Sequence, residues 1–368
     1  MVTAGVYLLL RLSPLLEFSS TSLAIITLIG SFTALYSAIT ALWQTDIKKV
    51  IAYSTCSQLG YLLIAIGCSN QSIGLFHLIN HAFFKALLFL SAGSILHTYN
   101  DQQDMRKMGG IIHFNPFIYT LVIIASFSLM ALPFLTGYTS KDILIETAFG
   151  RYIFISSLGF IWACLTAIFT AFYSIKLIIM TFIWKPNSRK TTSCKAAFYN
   201  FETIPLIFLA IASIIFGLLT YYLINSPYSS FYGNSLFNHP NHAASLLDIE
   251  HKRELVSLIP LLSTFIGSFA VLFIVFNPTY SPFKASNNWF DYIYSYYLIY
   301  PFISSFATIS FKYLDRGFFE YLGPSGLQKF TIFTSNLLFK TDTGVISHYT
   351  LNIILALLFI LYIATQSF

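Results

Sequence analysis

Charge is what this sequence has least of. Only 9% of its 368 residues are Asp, Glu, Lys or Arg, whereas a soluble domain carries about 25%. With 56% hydrophobic residues and a mean hydropathy of +0.72, that scarcity excludes a water-soluble globular domain and points to an integral membrane protein. Cysteine is also sparse. Cys56, Cys68, Cys164 and Cys194 show no paired spacing, so neither a disulfide framework nor a CxxC metal site organises the chain. No basic run precedes Val2-Thr3-Ala4-Gly5-Val6-Tyr7, and no cleavable leader is expected. The formal net charge of +6 sits mostly in short loops between apolar runs. Membrane topology accounts for it there, and nucleic acid is not implied.

What the chain has in abundance is long apolar runs, of helical and not barrel-strand length. A short first span covers Val2 to Leu16, a second Leu23 to Trp43, a third Val50 to Gly67 and a fourth Ile73 to Leu96. A fifth starts near Asn115-Pro116, and we expect it to break over Leu132 to Asp142. Pro133 removes a backbone donor there and Gly137 loosens the chain. Further spans cover Tyr152 to Trp184, Pro205 to Ile224 and Leu255 to Phe276, ending at Asn277-Pro278, and a last one covers Leu351 to Ile363. Counting one crossing per span puts the loops with Lys48, Lys49, Arg106, Lys107, Lys185, Arg189, Lys190 and Lys195 on one side. The opposite side holds an uncharged turn, Cys68 to Gln71, and the lone Arg151. That asymmetry follows the positive-inside rule if the broken fifth span crosses once.

Residues 281–340 have a different texture. They are rich in Tyr and Phe, with charges at Asp291, Lys312, Asp315, Arg316, Glu320 and Lys329 and interruptions expected at Pro301 and Gly317. This reads as a long amphipathic helix lying along a membrane surface or a partner. The competing reading is one more spanning helix over Trp289 to Phe311. The 38 Phe and 24 Tyr, beside many Ile, fit an AT-rich genome such as an organelle's.

The residues that invite chemistry lie in the fourth span. His77, His81 and Lys85 recur every fourth residue, so each side chain is offset by only about 40° and the three share one helix face. A lone charge in hydrocarbon costs at least about 2.5–3.5 kcal/mol, so three ionisable groups on one face read as a polar track inside a bundle. An imidazole accepts a proton on one nitrogen and releases one from the other, and a desolvated lysine loses its proton more readily. Alternatives stand beside this relay. The histidines could be satisfied by neighbouring backbone or hydroxyls. A metal site could use the i, i+4 histidine pair, although no Glu lies between them and no third ligand is near. Lys141-Asp142, at the expected helix break, is a second constellation, to be held by freed carbonyls and water or to reach the interface as a snorkelling lysine. Lys176 is an accessory candidate that snorkelling explains equally well. His239, His242, Asp248, Glu250 and His251 read as a solvated loop with no assigned role.

Several of these stretches resemble a known family. Asp46-Ile47-Lys48-Lys49 through Ala52, Ser54-Thr55 and Ser57-Gln58-Leu59-Gly60 is similar to the D-I-K-K-x-x-A-x-S-T-x-S-Q-L-G signature of the antiporter-like subunits of respiratory complex I, NADH:ubiquinone oxidoreductase. His77 to Lys85 resembles its H-x-x-x-H-A-F-F-K element. Asp104 to Gly110 resembles D-x-R-K-M-G-G, and Pro133 to Asp142 resembles P-F-L-x-G-x-x-S-K-D. The match runs from Val2 to about Lys176, and the layout beyond it fits the largest of these subunits.

The resemblance implies an all-α membrane protein of about nine transmembrane helices, one discontinuous. Residues 1–184 would form the antiporter-like proton-translocating bundle, 185–280 peripheral helices and a polar loop, 281–340 the lateral helix, and 341–368 an anchor helix. It implies proton translocation through His77, His81 and Lys85 to Lys141 and Asp142, coupled to NADH:ubiquinone electron transfer elsewhere. NAD, flavin, iron–sulfur clusters and ubiquinone would belong to other subunits, with no cofactor or metal in this chain. Its partners would be neighbouring membrane-arm subunits along the lateral helix and membrane lipids, in the mitochondrial inner membrane.

Two departures carry expectations of their own. Relatives are much longer at the start and hold there the Glu and Lys of a first half-channel. We therefore expect a split-gene product or a fragment, with a separate chain supplying those helices. Ser13 also stands where many relatives carry His. The rival functions are a subunit of a multisubunit cation/proton antiporter and a structural brace without pumping.

Overall fold

Two backbone hydrogen bonds tie together the loops in which the charges collect. Ile47 N–H donates to Gln103 O at 3.1 Å and Met105 N–H donates to Thr45 O at 3.0 Å, forming an isolated antiparallel bridge between Asp46 and Asp104. Asp104 also clasps Arg106 through contacts of 2.8 to 3.1 Å. Burial pushes the Asp104 carboxyl up, but the hydrogen bonds from the Arg106 side chain and backbone prevail and hold it below the usual carboxylate range. The clasp is therefore in place at neutral pH and loosens only as pH falls through that lowered value.

The computed structural model describes residues 2–99, 101–151, 154–185, 200–225, 231–233, 235–237, 239, 256–276, 292 and 294–366, and every regular element among them is helical. The chain divides into two units, Met1–Asn288 and Trp289–Phe368. In the first, α1 (Val2–Arg11) and α2 (Ser13–Leu16) precede α3 (Ser20–Trp43), α4 (Ile47–Gly67) and α5 (Gln71–Thr98). A short α6 (Ile111–Phe114) leads into α7 (Pro116–Met130). After the break come a π-helical turn (Tyr138–Asp142), α8 (Ile143–Gly150), α9 (Phe154–Ile178), which ends in a second π turn (Ile179–Ile183), α10 (Asn200–Asn225) and the helix Leu258–Phe276. Among the described residues six helices are long and apolar enough to cross a membrane.

The fifth span stops with a Schellman turn. Ala131 takes the left-handed conformation (φ 67°), Leu132 N–H reaches back to Phe127 O at 3.1 Å, and Ala131 N–H reaches Ser128 O at 3.1 Å. These bonds satisfy carbonyls that a helix end would otherwise leave bare at membrane depth, and Pro133 cannot continue the helix. Gly137 is required where the chain restarts, because a Cβ there would lie 1.7 Å from Ser128 O. The break is stapled sideways as Thr136 Oγ1 donates to Ser213 O of α10 at 2.8 Å and meets Ser128 Oγ at 2.9 Å.

The two halves of this span cross the bundle once between them. Beyond α8, Arg151 Nη1 donates to Gly67 O at 2.6 Å and to Ser69 Oγ at 2.7 Å, at the α4–α5 turn. At the other end, Gly109 lies against the Trp184 and Lys185 carbonyls, beside the paired loops. Lys185 thus gathers with the Lys48 and Arg106 loops, as the charge asymmetry requires. Arg189, Lys190 and Lys195 lie outside the described residues.

The second unit corrects one expectation. The helix runs through Pro301 and Gly317 without a break. Pro301 sits in the first turn of Tyr300–Ala307, and Gly317 lies inside a π-helical stretch, Thr308–Phe319. The π-helical stretch Tyr294–Ile299 runs directly into the turn that holds Pro301, and such widened turns let a helix accommodate the donor that proline lacks. The interruption instead falls at Gly323 (ψ −118°), just before Pro324–Thr341. Asp291 lies outside the described residues. The last helix is longer than the sequence pattern indicates, Ile346–Gln366.

α3 and α4 pack closely through glycine. A Cβ on Gly60 would come within 2.6 Å of Ala34 N, and one on Gly67 within 2.7 Å of Thr27 N. Backbone cannot move aside as a side-chain tip can. Gly60→Leu is therefore expected to cost at least the usual ~1–3 kcal/mol of overpacking, read as a lower melting temperature of the purified chain; unchanged thermal stability would contradict this packing.

Candidate functional site

α5 presents its ionisable face inward. His77 (0% exposed), His81 (5%) and Lys85 (4%) are all buried, and the two imidazole centroids are 6.2 Å apart. The stack rises about 12 Å from His77 to Lys85. Lys85 Nζ donates to Ser54 Oγ of α4 at 2.5 Å. At the other end, His77 Nδ1 lies 3.0 Å from Ser140 Oγ in the π turn. Ser140 Oγ already donates to Thr136 O at 3.0 Å. His77 Nδ1 is then left to donate, and Nε2 becomes the proton-accepting nitrogen.

The next residue along, Lys141, is 1% exposed. Its Nζ donates to Thr170 Oγ1 of α9 at 2.9 Å and lies 5.3 Å from the centre of the Tyr61 ring. So Lys141 is held by a hydroxyl and an aromatic face instead of by the carbonyls freed at the break. The wider π turn sets Ser140, Lys141 and Asp142 on successive positions facing the bundle; such turns recur at functional sites. Asp142 is buried, and neither of its carboxylate oxygens has a protein partner. Among the described residues the direct ion pairs lie in the loops, Lys49 with Asp46 and Arg106 with Asp104.

Unpartnered polar atoms cluster with these groups. His77 Nε2, His81 Nε2, both amide atoms of Gln58 and both of Asn80 are buried without a protein hydrogen bond. An ammonium offers three donors, and Lys85 and Lys141 each place one on a hydroxyl. Leaving so many groups dry would cost about 1–3 kcal/mol apiece. Groups of this kind are normally met by ordered water, so the arrangement is chemically suited to a hydrated proton path.

Lys176 belongs elsewhere. It does not snorkel to an interface: it is 3% exposed and donates to Leu42 O at 2.6 Å and Gln44 O at 3.0 Å, closing the C-terminal end of α3 where bare carbonyls carry negative potential. The structure does not bring it to the α5 column. His239 packs edge-on against Phe18, and His242, Asp248, Glu250 and His251 lie outside the described residues. Ser13 is buried and accepts from Phe237 N–H at 3.3 Å.

Reading the sequence for charges missed the neutral partners: Ser54, Gln58, Tyr61, Asn80, Ser140, Thr170 and Tyr173. A usable signal was present in the spacing. Ser54, Gln58 and Tyr61, and likewise Thr166, Thr170 and Tyr173, recur at three or four residues within otherwise apolar helices. Glu146, buried one turn beyond Asp142, shows the same spacing.

A multi-pass helical membrane bundle with a broken helix beside a column of buried ionisable groups has the architecture of an antiporter-like subunit. Residues 1–169 match the family described as NADH:quinone oxidoreductase/Mrp antiporter, transmembrane. The chain is similar to NADH-ubiquinone oxidoreductase chain 5 of Rhizopus stolonifer, 44% identical over 96% of this chain and 56% of that protein. It is also similar to chain 5 of Schizophyllum commune (42%, over 99% and 55%) and of Talaromyces marneffei (43%, over 100% and 58%). It thus spans a little over half the length of these curated relatives. A solved structure of the Mrp complex from Dietzia sp. DQ12-45-1b shares the fold, with TM-score 0.55 and 21% identity over 100% of this chain and 36% of that one.

Lys176→Met keeps the aliphatic stem and removes two charge-assisted hydrogen bonds worth about 1.5–3 kcal/mol each to stability. The variant is expected to melt several degrees earlier; an unchanged melting temperature would contradict this capping role.

Proposed function

We propose that this chain carries protons across the membrane as a membrane-arm subunit of respiratory complex I. The observation that supports it best is the run of buried, partly unpartnered polar groups from Lys85 through His81 and His77 to Lys141 and Asp142. A proton leaving Lys85 finds His81 Nε2 and then His77 Nε2 as acceptors, with water between them. His77 Nδ1 meets Ser140, next to Lys141, so the column ends at the broken helix. Lys141 can release the proton toward Asp142 and then Glu146 as it exchanges Thr170 for the carboxylate. A charge at Lys85 and one at the His77 end of the stack, about 12 Å apart, repel by about 1.4 kcal/mol at an effective dielectric of 20. That is about tenfold in occupancy, enough for arrival at one end to favour departure at the other.

In this reading NADH oxidation and ubiquinone reduction, with NAD, flavin and iron–sulfur clusters, belong to other subunits, and this chain holds no redox centre. The unit from Trp289 to Phe368 lies along neighbouring antiporter-like subunits. A separate chain supplies the first half-channel, and the assembly sits in the mitochondrial inner membrane. The likeness of fold to the Mrp complex supports a second reading, a multisubunit cation/proton antiporter subunit. Sodium-dependent proton exchange without NADH oxidation would favour it.

Lys141→Met removes a titratable group and little volume. Proton transfer along this route is expected to slow by about 10²-fold or more, the usual worth of a positioned acid–base group. Protons moved per NADH oxidised should fall in sealed membranes while the complex still assembles and oxidises NADH. A wild-type ratio would refute the role. If this chain works with a separate inlet chain, purification through an affinity tag on it should also recover, besides the neighbouring subunits, a polypeptide that matches the longer start of the family chain; an active assembly lacking one would exclude the split arrangement.

A further inference from the structure

The imidazoles are not the only polar groups between the two buried lysines. α4 and α9 set a second line between them. Ser54 Oγ, which accepts from Lys85 Nζ, donates in turn to Ile51 O at 2.7 Å. Across from it the Tyr173 hydroxyl of α9, 1% exposed, faces Ser54, Ser57 and Gln58 without completing a hydrogen bond to any of them. Thr170, three residues before Tyr173 on the same helix, holds Lys141 Nζ. Gln58, 0% exposed, has both amide atoms unpaired. Packing alone would be served better by Phe and Leu at positions 173 and 58, since a buried hydroxyl or amide without a partner is destabilising. These groups are also separate from the α5 column. They lie on different helices and reach Lys85 through its serine, without passing His81.

We propose that Ser54, Tyr173, Gln58 and Thr170 form a second proton-carrying branch between Lys85 and Lys141, parallel to His81 and His77; it rests on the relay reading above. Lys85 gives an N–H proton to Ser54 Oγ as Ser54 turns its own proton from Ile51 O to the Tyr173 oxygen. Tyr173 releases its proton to water held on the Gln58 amide, and that water passes one on, by way of Thr170 Oγ1, to a neutral Lys141 amine. Each hydroxyl gains one proton and loses one. The net change is one proton from Lys85 to Lys141, with no residue left charged between them. Ser54 and Thr170 reset by rotating back to the Ile51 and Ala167 carbonyls, and the Tyr173 hydroxyl by turning back toward Ser54.

The test uses the intact assembly in sealed membranes, with protons moved per NADH oxidised as the readout. Tyr173→Phe, His81→Leu and the double variant are compared, with Gln58→Leu as a second way of cutting the branch should Tyr173→Phe fail to assemble. Each single variant is expected to lower the ratio on the order of twofold, and the double variant tenfold or more, the non-additive pattern of parallel routes. No change on removing the tyrosine hydroxyl in either background overturns the branch. A single Tyr173→Phe change as severe as the double variant places the groups in series and overturns the parallel arrangement. Lys141→Met separates the two ideas. Its failure to lower the ratio sinks the relay itself, whereas a fall there with no effect at Tyr173 and Gln58 sinks only the branch.

Discussion

A lysine ammonium sealed inside an apolar bundle without a direct counter-ion is the costliest arrangement in this fold, and the helices around Lys85 and Lys141 are organised to make it tolerable. Each amine is given one hydroxyl, Ser54 or Thr170, and one aromatic ring, Phe89 or Tyr61. Neither arrangement neutralises the charge. A fixed carboxylate in direct contact would hold the proton on the nitrogen, while a purely apolar pocket would keep it off. A hydroxyl and a ring stabilise the charged form only in part, between those two extremes. Under the proposed relay that intermediate condition is what each lysine needs, and it accounts for the neutral polar residues around the buried charges.

The same balance governs the backbone. A helix can be broken inside a membrane only where its freed groups are met, and here they are met locally by the Schellman turn at Ala131 and laterally by the contact of Thr136 with α10. The break costs little and leaves a π turn in which consecutive side chains, Ser140 and Lys141, point to two different neighbours, α5 and α9. An unbroken helix would set adjacent residues about 100° apart, with no change of register between the upper and lower halves. The irregular backbone thus brings a residue of the fifth span to His77.

Much of this was legible in the sequence. The helices, the shared face of His77, His81 and Lys85, the broken fifth span and the grouping of basic loops all follow from hydrophobic period and from proline and glycine chemistry. What escaped was decided by partners distant in the chain. Lys176 looks like an interfacial lysine until the end of α3, more than 130 residues earlier, is placed against it. Pro301 and Gly317 look like breaks until the continuing helix absorbs one just after a widened turn and the other within one. Tyr173 and Thr170 carry no charge and sit in an apolar run, so only their three-residue spacing and the lysine that Thr170 holds single them out.

The pairing of the Thr45–Ile47 and Gln103–Met105 loop segments has a mechanical consequence. It clamps α3, α4 and α5 at one end, like staves held by a hoop, and Gly60 and Gly67 press α3 and α4 together along their length. The segment from Leu132 to Asp142 shares no helical ladder with α7. At the column it meets the clamped frame through the 3.0 Å contact of Ser140 with His77 and through the Lys141 amine over the Tyr61 ring of α4. Hydrogen bonds weaken steeply once stretched by about half an ångström. A small tilt of that segment would therefore unlatch the imidazole from the serine while the paired loops held their end of the frame.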